Sequence, residues 1–550
     1  MRLATLCVLA ATAATAAAKR QTKSQQPPAR QLFRDALRER RFKDAVRIAP
    51  ASYAAWWQNL PKEHVFVETL LIVFLLYLLY GVKKSKATND SKTLTDNEID
   101  ELVGDWAPAP LVPGGASPDG AVRRVVTPAT VPGRVHVRKD VATAQWTQKG
   151  DPLSALKQKG ALNCGAFDFL AMGAAPAVRK AAQEALAKYG CGSCGPRGFY
   201  GSIDVHEQLE ADVAAFAGTK QAIAFSDAAS CCTSTVAAFA KRGDLLVVDD
   251  GICEPLRTGC VLSRARVVAY KHNDADDLRR VMETIRKADR RKGRAPTAQR
   301  RFVICEAISK DHGGDVAPLK EILALKEEFG YRLILDESLS WGVLGKTGRG
   351  LKEACGIEDP DAVEITCLDL APALSSNGGL CIGTDEVVGH QRLSGAGYCF
   401  SAAAPPFYSA AALAALAILD SEDGRARLER LKANASLLRA ELFKTFGDEG
   451  ALTVVGGGYA GRGMELSESV PFALLEAPGA TAQVLDAIID ATYAKGFAVS
   501  MSTPPADDSA LPDLKPKPLA LRVAVTADHT EAEVRGLVEA LAKAKAKASA

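Results

Sequence analysis

The chain has 550 residues, 47% hydrophobic and 24% charged, which is the make-up of an ordinary globular protein and excludes a predominantly disordered one. Lys plus Arg total 68 against 65 Asp plus Glu, so the formal charge of +3 asks for no nucleic-acid partner. The 13 cysteines lie singly or in loose pairs such as Cys191/Cys194 and Cys231/Cys232, a pattern of reduced, mostly buried thiols rather than of a zinc finger or disulfide scaffold.

In chain order, residues 1–18 (MRLATLCVLAATAATAAA) carry one Arg, an apolar stretch and a small-residue end. This fits a secretory or endoplasmic-reticulum leader, and also the alanine-rich start of a transit peptide. Residues 65–82 (VFVETLLIVFLLYLLYGV) are interrupted only by Glu68 and closed by Lys83, Lys84 and Lys86. With no polar face between Leu70 and Tyr80, they predict a single transmembrane helix, at the short end of the roughly 17–25 residues a span needs. The lysines beyond it place the rest of the chain in the cytosol; the basic residues of RQLFRDALRERRFKDAVR upstream oppose that orientation from farther away. Residues 104–133 are rich in Pro and Gly and read as an extended strap.

From Asp151 the pattern becomes alternating apolar strands and amphipathic helices, the mark of a mostly parallel sheet covered by helices. Asp204 and Glu207 have the spacing of a capping box, Leu209, Val213 and Phe216 follow at helical intervals, and Gly218 stops the helix before the strand AIAF. RFVICE predicts a buried strand, Pro318 opens a helix that Gly330 ends, and RLILDES is the next strand. After Ser421 come a long helical run, the short strands LTVVGG, FALLEA and LRVAV, and a Thr530/Glu533 capping box leading a last helix. The expected organisation is a leader and basic segment at 1–54, the span and its flanks at 55–86, a linker and strap at 87–150, a large α/β domain at 151–425 and a smaller α+β domain at 426–550.

Three stretches could carry chemistry. Asp336 stands at a strand end, where ligands of such sheets bind, and a carboxylate there can pair with a protonated ring nitrogen; a surface acid or helix cap is the plain alternative. YGCGSCGPRGFYG (189–201) has the glycines for close backbone approach and leaves Arg197 available to an anion. SDAASCC (226–232) is a strand-to-helix turn that could aim N–H groups at a phosphate, or simply start a helix.

With DWAPAPLVP (105–113), KYGCGSCGPRGFYGSIDVHEQLE (188–210), KRGD (241–244), YKHND (270–274), LDESLSWGVLGKTGRG (335–350) and GHQRLSGAGYCFSAAAPP (389–406), these stretches resemble the α-oxoamine synthase family of fold-type I pyridoxal-phosphate (PLP) enzymes. Within it they resemble the first subunits of the serine palmitoyltransferase branch, over roughly residues 55–550. The resemblance implies an aspartate-aminotransferase-like fold. It also implies decarboxylative condensation of L-serine with palmitoyl-CoA in sphingolipid synthesis, at the endoplasmic-reticulum membrane.

Catalytic members of the family tether the cofactor to a lysine six residues before a Gly-Gly pair. Here the pair is Gly378-Gly379 and that position is Pro372, with no lysine between Lys352 and Lys432. Proline has no free amine. The family's ring-stacking histidine falls at Cys253 and the histidine of its D-E-A-H-S run at Leu339. The resemblance therefore implies a chain without a catalytic residue of its own, with Asp336 a vestigial ring-nitrogen acid, paired with a lysine-bearing catalytic subunit two that holds the PLP. Small regulatory membrane subunits are further implied partners. Cys194, Arg197, Tyr200, Ser394, Tyr398 and Phe400 are expected nearest the shared site, with Ser401 reaching the cofactor across the interface. An active homodimer using another lysine, and a membrane scaffold without synthase activity, are the alternatives.

Overall fold

The computed structural model describes residues 125–128, 132–138, 160–295, 298–447 and most of 452–548. The chain divides into two units, Met1–Ala116 and Ser117–Ala550, and every described residue belongs to the second. The leader, the expected span at 65–82 and most of the strap lie outside the described residues. Among those described, no helix is long and apolar enough to cross a membrane.

Strands β1 (Val125–Pro128), β2 (Arg134–Arg138) and β3 (Ala161–Asn163) precede helices α1 (Pro176–Tyr189) and α2 (Asp204–Ala217). Then come β4 (Gln221–Phe225), α3 (Ala228–Phe239), β5 (Leu245–Asp249), α4 (Glu254–Ser263), β6 (Arg266–Tyr270), α5 (Ala275–Arg291), β7 (Arg301–Glu306), α6 (Leu319–Phe329) and β8 (Arg332–Asp336). Next are β9 (Ile365–Asp369), the short α7 (Leu370–Leu374), β10 (Gly379–Gly383), α8 (Asp385–Ser394), α9 (Pro406–Leu419) and α10 (Glu422–Phe446). The chain closes with β11 (Thr453–Val455), β12 (Phe472–Glu476), α11 (Ala482–Tyr493), β13 (Phe497–Ala498), β14 (Ser500–Ser502), β15 (Ala520–Ala524) and α12 (Glu531–Ala548).

The seven-stranded central sheet has the order β4-β10-β9-β8-β7-β5-β6. All pairings are parallel except those of β10, which runs against both neighbours. Strands β5 and β7 are buried along their whole length, which explains why their sequences are unbroken apolar runs. The two-residue period still shows in where side chains go. Leu245, Val247, Val303, Cys305, Leu333 and Leu335 join one core cluster with α2, α5 and α6, while Leu246, Val248, Phe302, Ile304 and Ile334 join another with α3 and α4.

A second sheet, β11-β12-β15-β14, is antiparallel and packs Ala473, Leu475, Leu521 and Val523 against apolar faces of α10, α11 and α12. A third joins β1-β2-β3 to β13, Leu162 pairing with Phe497 in parallel register. The Thr530/Glu533 box forms as expected, each backbone N–H reaching the other side chain at 3.0 and 3.3 Å. The box expected at Asp204/Glu207 does not. Asp204 is already helical, and the reciprocal contact is Ile203 N–H to His206 Nδ1 at 3.3 Å, because Glu207 instead pairs with Arg197.

The loop after β7 meets the second sheet at Gly313. Its φ is +66°, and a Cβ there would stand 1.7 Å from the Val455 carbonyl oxygen. Arg439 of α10 closes the same seam, donating to the Gly313 and Phe472 carbonyls at 3.0 and 2.9 Å. Gly313→Ala is expected to cost about 2–4 kcal/mol in denaturant unfolding, against about 1 kcal/mol for Gly293→Ala, whose φ is also positive but whose Cβ meets nothing. Equal losses would show that backbone conformation alone, not the seam, sets the cost.

Candidate functional site

Four parallel strands end in an acid on the same edge of the central sheet: β5 in Asp249, β7 in Glu306, β8 in Asp336 and β9 in Asp369. This edge is where α/β sheets bind ligands. Asp249 is committed internally: it accepts from His272 Nδ1 at 2.7 Å, Asn273 N–H at 2.8 Å and Gly251 N–H at 2.7 Å. Asp369 caps α7, accepting from Ala371 N–H at 2.8 Å.

Asp336 is 6% exposed. Its Oδ1 accepts from Ser338 N–H at 2.9 Å, and its Oδ2 faces the thiols of Cys232 and Cys253, each at 3.7 Å. Burial, helped by the nearby Cys367 and Asp369, pushes its pKa from an ordinary 3.8 up to about 6, against the pull of the Ser338 contact. Cys253 is the N-cap residue of α4 and buried, and Leu339 is buried in the main core. Among the described cysteines none is in a disulfide, and eight are buried.

Pro372 lies in α7, buried, with its carbonyl accepting from Phe169 N–H at 2.8 Å. The Gly378-Gly379 pair that follows has a packing reason of its own. A Cβ on Gly379 would meet Cys231 Cβ at 2.6 Å and Ala228 Cα at 2.7 Å, so β10 can cross the start of α3 only as glycine.

The N-terminus of α3, read from sequence either as a turn that could aim N–H groups at a phosphate or as a plain helix start, is already capped. Asp227 accepts from Ser230 N–H and Ser230 Oγ, both at 2.7 Å, and from Ser226 Oγ at 3.1 Å. Burial works against the Asp227 charge, but those donors outweigh it and hold the pKa below the ordinary range. At the positions that the resemblance assigns to the cofactor tether and the ring-stacking group stand Pro372 and Cys253, which offer neither an amine nor an aromatic ring, and Asp227 already fills the helix end; Asp336 keeps the carboxylate that the resemblance assigns to the ring nitrogen.

The glycine-rich loop is a second, separate cluster. Arg197 is not available to an anion, correcting the expectation from sequence. It is buried, with Nη1 on Glu210 and Nη2 on Glu207 at 2.7 Å each and Nε on Ser202 Oγ at 3.1 Å. Burial opposes its charge, but the two carboxylates outweigh burial and raise its pKa. The guanidinium also lies 5.7 Å over the ring of buried Tyr398, whose hydroxyl accepts from Arg392 Nη1 at 3.1 Å.

This loop and the 396–404 segment are tied by Ala403 N–H to Gly195 O at 2.9 Å, Ser193 Oγ to Ala403 O at 3.0 Å and His206 Nε2 to Ala404 O at 2.8 Å. On this frame Cys194, Tyr200, Ser394 and Phe400 are exposed and Ser401 is half-buried. Cys194 and Tyr200 have φ of 56° and 70°, and Tyr200, Phe400 and Leu393 are 103%, 84% and 85% exposed. A small cavity between the loop and the glycine pair is lined by Arg197, His206, Phe225, Asn377, Gly378 and Ser409 among others. Sequence reasoning missed the Asp227 cap and the Glu210 counterion. The first was signalled by an Asp one residue before a helical run, the second by acids three apart on the helix after Arg197.

Comparison with known proteins follows the same lines. Residues 157–541 match the class I and II aminotransferase family. The chain is 38% identical to serine palmitoyltransferase 1 of Dictyostelium discoideum over 71% of its length and 74% of the relative's. It is 33% identical to long chain base biosynthesis protein 1c of Oryza sativa subsp. japonica, covering 89% and 93%. Among solved structures it resembles a serine palmitoyltransferase from S. paucimobilis with a bound PLP–myriocin aldimine, at 23% identity and TM-score 0.64 over 78% of this chain and 93% of that one. An 8-amino-7-oxononanoate synthase from Francisella tularensis is similar at 20% identity and TM-score 0.54, over 70% and 98%. The fold is that of fold-type I PLP enzymes.

Two outcomes test this electrostatic account. Arg197→Met, which leaves Glu210 buried without its cation, is expected to cost about 3–5 kcal/mol in chemical unfolding, while Glu207→Gln on the exposed side costs under about 1 kcal/mol. For Asp336, burial leaves stability untouched below pH 3.8, where both states are protonated, and removes it as pH rises to about 6. Asp336→Asn should therefore match the parent near pH 4 and exceed it by about 3 kcal/mol at neutral pH when both are measured with chelator present, at about 1.4 kcal/mol per pKa unit. A difference independent of pH would refute the buried carboxylate as its source.

Proposed function

The chain belongs to the family of serine palmitoyltransferase 1 and long chain base biosynthesis protein 1, and from that premise we propose that it is the lysine-lacking, non-catalytic subunit of a serine palmitoyltransferase. The complex condenses L-serine with palmitoyl-CoA, releasing carbon dioxide and CoA and giving 3-ketosphinganine. PLP, held by a lysine of the partner subunit, supplies the electron sink for the decarboxylation. The observation that carries this reading is Pro372, buried in the turn where the family's tether belongs and without an amine to offer.

The rest of the chain supports the same division of labour. Arg197, Glu207 and Glu210 fix the glycine-rich loop, and Tyr398 locks the second loop against it. Cys194, Tyr200, Ser394, Phe400 and Ser401 then present a preset surface to the partner, beside its cofactor. Aromatic side chains as open as Tyr200 and Phe400 are what a protein interface uses. The segment at 65–82 anchors the chain in the endoplasmic-reticulum membrane with the 151–425 and 426–550 domains in the cytosol, so the acyl chain need not leave the bilayer far to react. Small membrane subunits can dock beside that span.

Co-expression with a lysine-bearing second subunit, followed by affinity purification and a serine plus palmitoyl-CoA assay, tests the proposal. A stable complex that makes 3-ketosphinganine is expected, with no product from this chain alone. No complex, or turnover by the isolated chain, would sink it.

A further inference from the structure

The ends of β7 and β8 hold a group of side chains that neither loop surface nor partner docking uses. Glu306 and Asp336 are register neighbours on the two strands, and Cys253 opens α4 above them. Cys253 Sγ and one carboxylate oxygen from each acid all lie within 4.8 Å of one another, and all three residues are buried. Asp336 forms no ion pair with any described Lys or Arg, although carboxylates this deep are ordinarily paired with a cation or bound to a metal.

We propose that Cys253, Glu306 and Asp336 form a binding site for one zinc ion, with the Cys232 thiol donating to Asp336 Oδ2 from outside the ligand set. The donor set selects the metal. One thiolate with two carboxylates is too soft for magnesium or calcium, which take oxygen alone, and too hard for copper(I). Tetrahedral zinc holds sulfur at about 2.3 Å and oxygen at about 2.0–2.2 Å, so two ligands of one ion stand roughly 3.3–3.8 Å apart. The Cys253 to Asp336 separation of 3.7 Å already has that length, and the other two edges need to close by about 1.5 Å at most. On binding, the Cys253 thiol gives its proton to solvent, and the two positive charges of the ion offset the Asp336 carboxylate and the new thiolate.

The Cys232 contact, at 3.7 Å on the same oxygen, plays the orienting role that outer partners of metal ligands usually play. Such an ion would take the carboxylate otherwise suited to a ring nitrogen and brace β7, β8 and α4 at the strand ends. The proposal goes beyond the function above, because zinc binding is read on the complex whether or not it condenses serine.

The test uses the full chain with its partner subunit, reduced, stripped with chelator and dialysed against Zn2+, with metal content read by mass spectrometry and Co2+ as spectroscopic probe. The expected result is one ion per complex that depends on this chain, with the visible bands of a tetrahedral cobalt–thiolate centre. Cys253→Ser and Asp336→Asn should each weaken binding by about 100-fold or more and Cys232→Ser by about tenfold, more for ligands than for outer partners. Cys260→Ser, a buried cysteine of α4 outside the group, should bind as the parent. If Cys253→Ser fails to fold, Glu306→Gln and the cobalt spectrum of the parent complex still decide. No cobalt–thiolate bands, or zinc binding unchanged in Cys253→Ser, Asp336→Asn and Glu306→Gln alike, would overturn the site.

Discussion

A covalent tether to an aldehyde cofactor needs an amine, and at the turn between β9 and β10 the chain offers a buried proline ring. The surroundings have closed around that fact. The Pro372 carbonyl accepts from Phe169, Asp369 caps the short helix that contains it, and Asp227 fills the helix end that an external anion would otherwise occupy. Lys352 does not stand in, since its ammonium donates to the Pro360 carbonyl at 3.2 Å. Lys310, whose positive charge favours the ionised form of Asp369, is exposed on the loop after β7.

The residues that carry the family resemblance have packing reasons of their own. Gly379 must be glycine because β10 crosses α3 at a distance no Cβ tolerates, independently of any cofactor. Arg197 is required because Glu210, which also accepts the Ala224 N–H at 2.7 Å, is buried beside it and costly without it. Such motifs can therefore be kept for packing whether or not the chain carries out the chemistry. Motif identity in this chain reports on fold and loop architecture before it reports on reaction.

The sheet and its helices were legible because their signals are local and repeated: unbroken apolar strands, helical spacing, and stops at Gly218 and Gly330. Even so, two expectations taken from local chemistry failed, and both for long-range reasons. Glu207 left its capping role for Arg197, and Arg197 in turn was consumed by carboxylates on α2 rather than left for a ligand. The β1-β2-β3-β13 sheet joins residues more than 300 apart, which no window of sequence can see. Likewise Cys253, Glu306 and Asp336 have no metal-like spacing along the chain and meet only because parallel strands end on one edge. Asp336, by contrast, was visible at once as an acid closing a strand.

The central claim is that the cofactor tether belongs to the partner. Borohydride reduction of the active complex, followed by mass spectrometry of both subunits, reads it directly. The account predicts a pyridoxyl-modified lysine on the second subunit alone. Stoichiometric modification of a lysine in this chain, Lys310 foremost, would contradict it.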